Sequence, residues 1–414
     1  MNKRLILIAA LALTCPFAGA HAYTLGGLDF HGFFDQGYMV SNGNNYLGST
    51  KNGDFHFTEA ALAVSKDLND KLHVAGQLYT FREGTLGGLS TPEIDWLYAD
   101  YAWQDWMGFR VGKVKAPYGL YGDALDVPMA RPYIFLPQGI YTDYWTDAMT
   151  AITGAATYGS FPLPKKLGSI DYNVEFGVSN IRDHSGLLLQ YADYSEIDTI
   201  HYHNAYTFNT QLIWNTPAKG LRLLWSYMYC RNEKYSGPFK TDAQLLLLPG
   251  GVAEGLDGHP ANYTDWESAW SVGAEYNWQK WTFTSEYSRS MYKTWTTVDG
   301  VSDDGAYSTN DSWYVGASYP LTSKARISTY YSVDIANMYD PNGSQIAANG
   351  GYAFMGFQKD LAVTLQYKLT PWWTLKIEGH AINGTKDVLL QQNQPWENEK
   401  RYWLFGAVKT IFYF

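Results

Sequence analysis

The chain has two cysteines in 414 residues, Cys15 and Cys230, and only 17% of its residues are charged, against about a quarter in an ordinary soluble domain. Apolar runs are short. Leu5 to Leu13 is too short to span a bilayer, and no later run approaches the ~20 residues that a spanning helix needs, so a helical membrane protein is excluded. Basic residues are outnumbered, 30 Lys+Arg against 40 Asp+Glu, which argues against nucleic acid as a partner. Glycine-rich phosphate loops and G-x-S-x-G elbows are missing. The chain therefore reads as no enzyme, with neither cofactor nor metal. His201 and His203 form an H-x-H pair but lack a nearby third ligand. The acidic stretches Asp303-Asp304-Gly305 and Asp340-Pro341-Asn342-Gly343 read as solvated turns rather than calcium loops.

Residues 1–22 have the form of a secretory leader: Lys3 and Arg4, the apolar run, then Ala20-His21-Ala22 as a small-x-small cleavage site. Thr14 and Pro16 flanking Cys15 do not suit a lipid anchor. Removal leaves residues 23–414 with 28 Lys+Arg (30 minus Lys3 and Arg4) and 40 Asp+Glu, about −12 in all. Cys230 is then the only thiol, so no intrachain disulfide can form, and a buried, inert thiol is expected.

Aromatic residues are abundant, 34 Tyr and 16 Trp, alongside 39 Gly. They fall in period-two runs, the pattern of strands with two unlike faces. Ile170, Tyr172, Val174, Phe176 and Val178 alternate with Asp171, Asn173, Glu175 and Gly177. Trp373, Leu375 and Ile377 alternate with Thr374, Lys376, Glu378 and His380. The apolar rows are too aromatic and too numerous for one two-layer core. An apolar exterior around a polar interior fits instead.

Sixteen such strands can be drawn between residues 27 and 414. Eight long connectors (42–53, 83–92, 115–148, 182–202, 233–265, 295–310, 337–351 and 385–399) alternate with seven short ones. That alternation predicts a closed antiparallel transmembrane β-barrel with both termini on the short-turn side. Trp103/Trp106, Trp278/Trp281 and Trp372/Trp373 flank short turns, as an aromatic girdle would. The last strand ends on Phe412 and Phe414. A terminal Phe on an amphipathic strand resembles the signal by which outer-membrane barrels are recognised for insertion.

One stretch breaks the rhythm. RVGKVKAPYGLYGD…ARPYIFLPQGIY, beginning at Arg110, carries Pro117, Pro128, Pro132 and Pro137 with aromatic and basic residues at no regular spacing. It resembles the constriction-loop segment of bacterial outer-membrane porins, including the phosphate-selective ones. The resemblance implies an outer-membrane channel, a homotrimer in lipid, whose third long loop folds into the lumen and narrows it. Small hydrophilic solutes or ions would then diffuse passively. It also implies that basic residues of the segment favour anions, here Lys113, Lys115 and Arg131. The arginine ladder of phosphate-specific members is not evident.

Residue by residue, the expected constriction comprises Lys113, Lys115, Arg131, Tyr118, Asp123 and Asp126. Tyr121, Tyr133, Phe135, Tyr141 and Tyr144 would wedge the loop against the wall, and the prolines would restrict it. The alternative is that the cations only pair with the loop's aspartates, Asp123, Asp126, Asp143 and Asp147, and pin it. The expected wall is mixed: Arg110, Arg222, Arg326 and Lys376 with Glu175, Glu275, Glu286 and Glu378. Glu275 and Glu286 are read as one acidic patch, and Lys376 and Glu378 as a self-compensating pair. Leu245 to Leu248 are expected to form the fifth loop's own small core. The competing architecture is a structural sleeve around a partner such as an electron-carrying cytochrome, which needs an unobstructed bore.

Overall fold

The computed structural model describes residues 23–86, 91–181, 185–194, 197, 200–239 and 258–414. The leader and Leu245 to Leu248 lie outside them. Sixteen long strands follow in order: β1 Leu28–Ser41, β2 Phe57–Asp67, β3 Leu72–Glu83, β4 Glu93–Gln104, β5 Met107–Lys115, β6 Ala151–Pro162, β7 Ser169–Ser179 and β8 Tyr206–Asn215. The second half comprises β9 Leu221–Pro238, β10 Pro260–Trp278, β11 Trp281–Val298, β12 Ala306–Pro320, β13 Ala325–Ile335, β14 Phe357–Thr370, β15 Trp373–Gly384 and β16 Tyr402–Tyr413. Each pairs antiparallel with the next, and β16 closes on β1 from Phe405↔Ser41 to Tyr413↔Phe33. The expected sixteen-stranded barrel is what the chain forms.

Closure leaves no sheet edge unpaired, and the seam is locked at its base. Phe414 exchanges backbone hydrogen bonds with Gly32 at 3.0 and 3.2 Å. Its ring lies over Gly32, where any Cβ would stand 2.7 Å from it. Phe412 faces outward in the girdle, its ring 5.0 Å from Trp373. At the other short turns, Trp103 meets Trp106 at 5.6 Å and Trp281 meets Tyr319 at 4.7 Å.

Two connectors differ from expectation. The strands β9 to β12 run past the apolar band, so the connector expected over 233–265 shrinks to 239–259, and that over 295–310 shrinks to a tip at 299–305. Above the band the outward residues become mostly polar, among them Lys234, Ser236, Asn262, Thr264 and Thr297, which reads as loop in sequence. Yet the backbone ladder continues to Pro238↔Pro260 and Ala261↔Val298. Among the described residues no helix is long and apolar enough to cross a membrane; the short helices α1 Thr146–Thr150, α2 Gly186–Tyr194 and α3 Ser344–Ala348 all lie in long connectors.

Candidate functional site: a pinned segment across the lumen

Register decides which side chains reach the interior, because successive residues of a strand face opposite ways. Glu175 pairs with Asn209, Arg222 with Glu275, Gly273 with Glu286, Arg326 with Gln366 and Lys376 with Lys409, all on the inner rows. Arg110 lies opposite Asp100 on the same face. The eight wall residues thus line the interior. Lys113 does not. It stands opposite Leu97 and Thr153 on the outward row, and its Nζ donates to the Ile94 carbonyl at 2.8 Å. The reason is simple alternation: with Arg110 inward, a residue three further on points out.

The connector over residues 116–150 enters the barrel from the long-loop end. Its neck is closed by Ala116 N donating to Thr150 O at 2.9 Å. From there it touches both sides of the wall. Near its start, Gly119 N donates to Ser226 Oγ at 3.1 Å, Gln211 Nε2 donates to Gly119 O at 3.0 Å, and the Tyr118 hydroxyl meets Ser288 Oγ at 2.7 Å. Glu286 is the anchor on this side. Its carboxylate accepts from Leu120 N at 2.8 Å, the Tyr141 hydroxyl at 2.5 Å and the Tyr314 hydroxyl at 2.8 Å. Glu275 instead pairs with Arg222 at 3.0 Å, so the two glutamates have separate tasks and form no acidic patch.

Gly119 makes this seat possible. Its φ is +68°, and a Cβ there would collide with the Tyr141 hydroxyl and lie 2.8 Å from Glu286 Oε1. Glycine is the residue that takes this conformation without strain.

On the opposite wall two residues of β15 hold the segment by its backbone. Lys376 Nζ donates to the carbonyls of Pro128, Arg131 and Tyr133 at 2.7, 2.7 and 3.0 Å, using all three of its donors. Glu378 accepts from Ile134 N at 2.6 Å and Phe135 N at 2.8 Å. It also accepts from Thr364 Oγ1 at 2.6 Å and faces His380 Nε2 at 3.0 Å. His380 turns its other nitrogen to Asp360 Oδ2 at 2.8 Å, an arrangement that a doubly protonated ring satisfies. Lys376 and Glu378 therefore do not compensate each other; both are spent on the segment.

The segment's own charges are similarly engaged. Lys115 Nζ binds Asp126 Oδ1 at 2.6 Å and the Asp123 carbonyl at 3.0 Å. Asp126 also accepts from Gln77 Nε2 at 2.7 Å and Trp96 Nε1 at 3.2 Å. Arg131 is buried and reaches Glu59 at 3.4 Å, within a cluster in which Lys409 also binds Glu59 and lies 3.1 Å from Asp35. Burial raises the Asp143 carboxyl to about 6, opposed by Arg131 and by Gln138, which donates to it at 2.8 Å. Asp123 is the one carboxylate of the segment left exposed among its described side chains.

Aromatic packing fills the space between the pins. Tyr118, Tyr133, Phe135, Tyr141 and Tyr144 are buried, as are all four prolines, while Tyr121 is half-buried. Phe135 stacks on Phe57 at 5.3 Å and meets Phe405 at 5.4 Å; Tyr133 stands edge-on to Tyr330 at 4.9 Å. Proline rigidity and ring burial together hold the segment in one position.

Towards the long-loop mouth, α2 bridges this segment to the last connector. Gln190 accepts from Trp145 Nε1 at 2.5 Å, and Asp193 accepts from Leu390 N and Gln391 N at 2.9 and 2.8 Å. In that connector burial raises Asp387 to about 7, with Lys386 opposing and Asp334 adding, and raises Glu399 to about 7, with a Thr385 hydrogen bond opposing.

Other candidate chemistry finds structural employment. Among the described residues no group of three His, Cys, Asp or Glu is placed to hold a metal ion. Asp340 caps α3 through Ser344 N at 2.8 Å and Gln345 N at 2.7 Å, and Asp303 accepts from Thr296 N and Gly305 N at 3.0 Å each. Cys230 is buried, 3.6 Å from Thr207 Oγ1.

No protein-family model matches the chain, and no curated protein matches it in sequence. Solved structures do. It is similar to Pseudomonas putida OprB (TM-score 0.56, 11% identity, 97% of this chain and 100% of that one) and to Salmonella typhi OmpF (0.55, 14%, 95% and 100%). It is also similar to an anion-selective porin from Comamonas acidovorans (0.53, 12%, 94% and 99%). The likeness extends along nearly the whole barrel at identities that speak for the fold alone, with no phosphate-selective relative among the three. The chain has the sixteen-stranded fold of bacterial outer-membrane porins.

Proposed function

We propose that the protein is an outer-membrane channel, exported through its leader, that lets small hydrophilic solutes and ions diffuse passively, with a lean towards anions. The observation that carries this reading is the segment 116–150, pinned to opposite walls of a barrel whose inner rows are polar. A sixteen-stranded barrel encloses a water-filled lumen, and passage is decided at its narrowest level. The same filling leaves little room for a partner protein, which speaks against the sleeve.

The lean to anions rests on the wall below the segment. In each ion pair the guanidinium is the more exposed partner: Arg222 is 39% exposed against 18% for Glu275, and Arg110 29% against 13% for Asp100. Arg326 is exposed on the inner row, opposite Pro320 and Gln366. At these three positions a mobile ion therefore meets more positive than negative surface, with Asp67, 82% exposed at the short-turn end of the inner row, as the opposing charge. Assembly as a homotrimer is proposed with the resemblance, and cross-linking of the purified protein in detergent tests it. The function itself is tested by liposome swelling in sugars of graded size, with reversal potential under a salt gradient. Size-dependent swelling and an anion-selective sign are expected. Liposomes that do not swell although the barrel is folded would overturn the channel, and a cation-selective sign would overturn the lean.

A further inference from the structure

The chain is acidic overall, yet its outward face is not. On the outward rows of the described strands the long-loop end carries Arg82, Lys113, Arg231, Lys234, Lys293 and Lys359, each near the end of that strand's apolar run. The only outward carboxylate among the described strands is Asp311. It is taken by Arg289 through two bonds of 2.7 and 2.8 Å and by the Tyr287 hydroxyl at 2.9 Å. Acidic residues of the described strands thus go almost entirely to the interior, whereas the charge of the outward rows at this end, the Arg289–Asp311 pair aside, is positive.

These cations concentrate on β9 to β11. Register places Arg231, Trp266, Lys293 and Tyr307 in one cross-strand row, with Lys234, Thr264 and Trp295 in the row above. At about 4.8 Å between strands, Arg231 and Lys293 lie about 10 Å apart on either side of Trp266. Lys293 Nζ rests 4.7 Å from the Trp295 ring and 5.0 Å from the Tyr307 ring, while Arg231 and Lys234 are exposed. The carboxylates nearest in sequence, Glu233, Asp265 and Glu267, are buried on the inner face. Directly below stand Tyr229, edge-on to Trp266 at 6.0 Å, and Met291.

We propose that Arg231, Lys234 and Lys293 form a site for the phosphate groups of an anionic lipid in the leaflet on the long-loop side. The lipid's acyl chains would lie along the apolar rows beneath. The proposal rests on the membrane reading above. Charge complementarity and the sharp border between cations and apolar rows argue for a lipid rather than a soluble anion, since a free phosphate has no use for Tyr229 and Met291.

The test is native mass spectrometry of the purified full-length protein in detergent, titrated with a diphosphorylated glycolipid and with its dephosphorylated form. The phosphorylated lipid is expected to bind more tightly, and preference should fall roughly five-fold for each cation removed in Arg231→Gln, Lys234→Gln and Lys293→Gln. The control Lys66→Gln, on the outward row at the opposite end, should retain it. Equal binding of the two lipids, or preference surviving in the triple variant, would overturn the site. So would displacement of the lipid by millimolar inorganic phosphate, which would point to a soluble anion. Conductance of the same samples separates this outcome from failure of the channel reading, and Arg231→Lys should restore binding if charge is what matters.

Discussion

Lys376 and Glu378 stand two residues apart on one face of β15 and grip the same crossing segment with opposite polarity, the ammonium on three carbonyls and the carboxylate on two backbone amides. Both side chains are buried and fully bonded. Removing one side leaves the other's partners stranded. Lys376→Met would strand three carbonyls at about 1–3 kcal/mol each. Glu378→Gln, which discharges one member of a buried charged network, is expected to cost about 3–5 kcal/mol. Either variant should make residues 128–135 accessible to protease in a barrel that still migrates as folded. Unchanged protease resistance would show that ring packing alone holds the segment.

At the other wall the seat depends on Glu286 and Gly119. Tyr141→Phe removes a hydrogen bond to a carboxylate and should cost about 1.5–3 kcal/mol. Gly119→Ala should do more, because it strains a positive φ and drives a Cβ into Tyr141. Hydrogen exchange at residues 118–121 should accelerate in both, and more in the alanine variant. The reverse order would mean that the backbone path differs from the one described.

The strand count, the closure and the wall were readable because a barrel writes its two faces into every second residue. The eight wall positions follow from that rule. Applied strictly, the rule also turns Lys113 outward, since it cannot share a face with Arg110. What could not be read was the use made of the inner charges. Nothing local in sequence links Glu378 to Ile134 or Glu286 to Leu120, residues 244 and 166 apart. Lys376 and Glu378 look like neighbours that neutralise each other until the crossing segment is in place. The upper ends of β9 to β12 were missed because, outside an apolar surrounding, a strand no longer needs an apolar face.

The last connector should respond to pH. Asp387 and Glu399 sit at about 7 in the folded chain, above their ordinary values near 4. Between those limits the folded form binds more protons than the unfolded one, so stability falls as pH rises through that window. Residues 386–400 should therefore be better protected from exchange at pH 5 than at pH 8, after correction for intrinsic rates. Asp387→Asn with Glu399→Gln should flatten the difference. Protection that rises with pH would reverse the assignment.

Ion preference and loop anchoring should separate by residue. Arg326→Glu should move the reversal potential towards cations and leave the segment's protease resistance intact. Lys115→Glu, which sets a carboxylate against Asp126, should loosen the segment first, and Arg131→Glu likewise against Glu59. If Arg326→Glu left the reversal potential unmoved while Lys115→Glu shifted it in a still-anchored loop, selectivity would lie in the segment after all.

The most direct test of the account is single-channel conductance in planar bilayers, comparing the protein with a variant whose residues 118–145 are replaced by a short Gly-Ser link. The account predicts small, stepwise openings in the first and a several-fold larger step in the second, because the pinned segment sets the narrowest level. Equal conductance from two folded barrels would contradict it and place the restriction elsewhere.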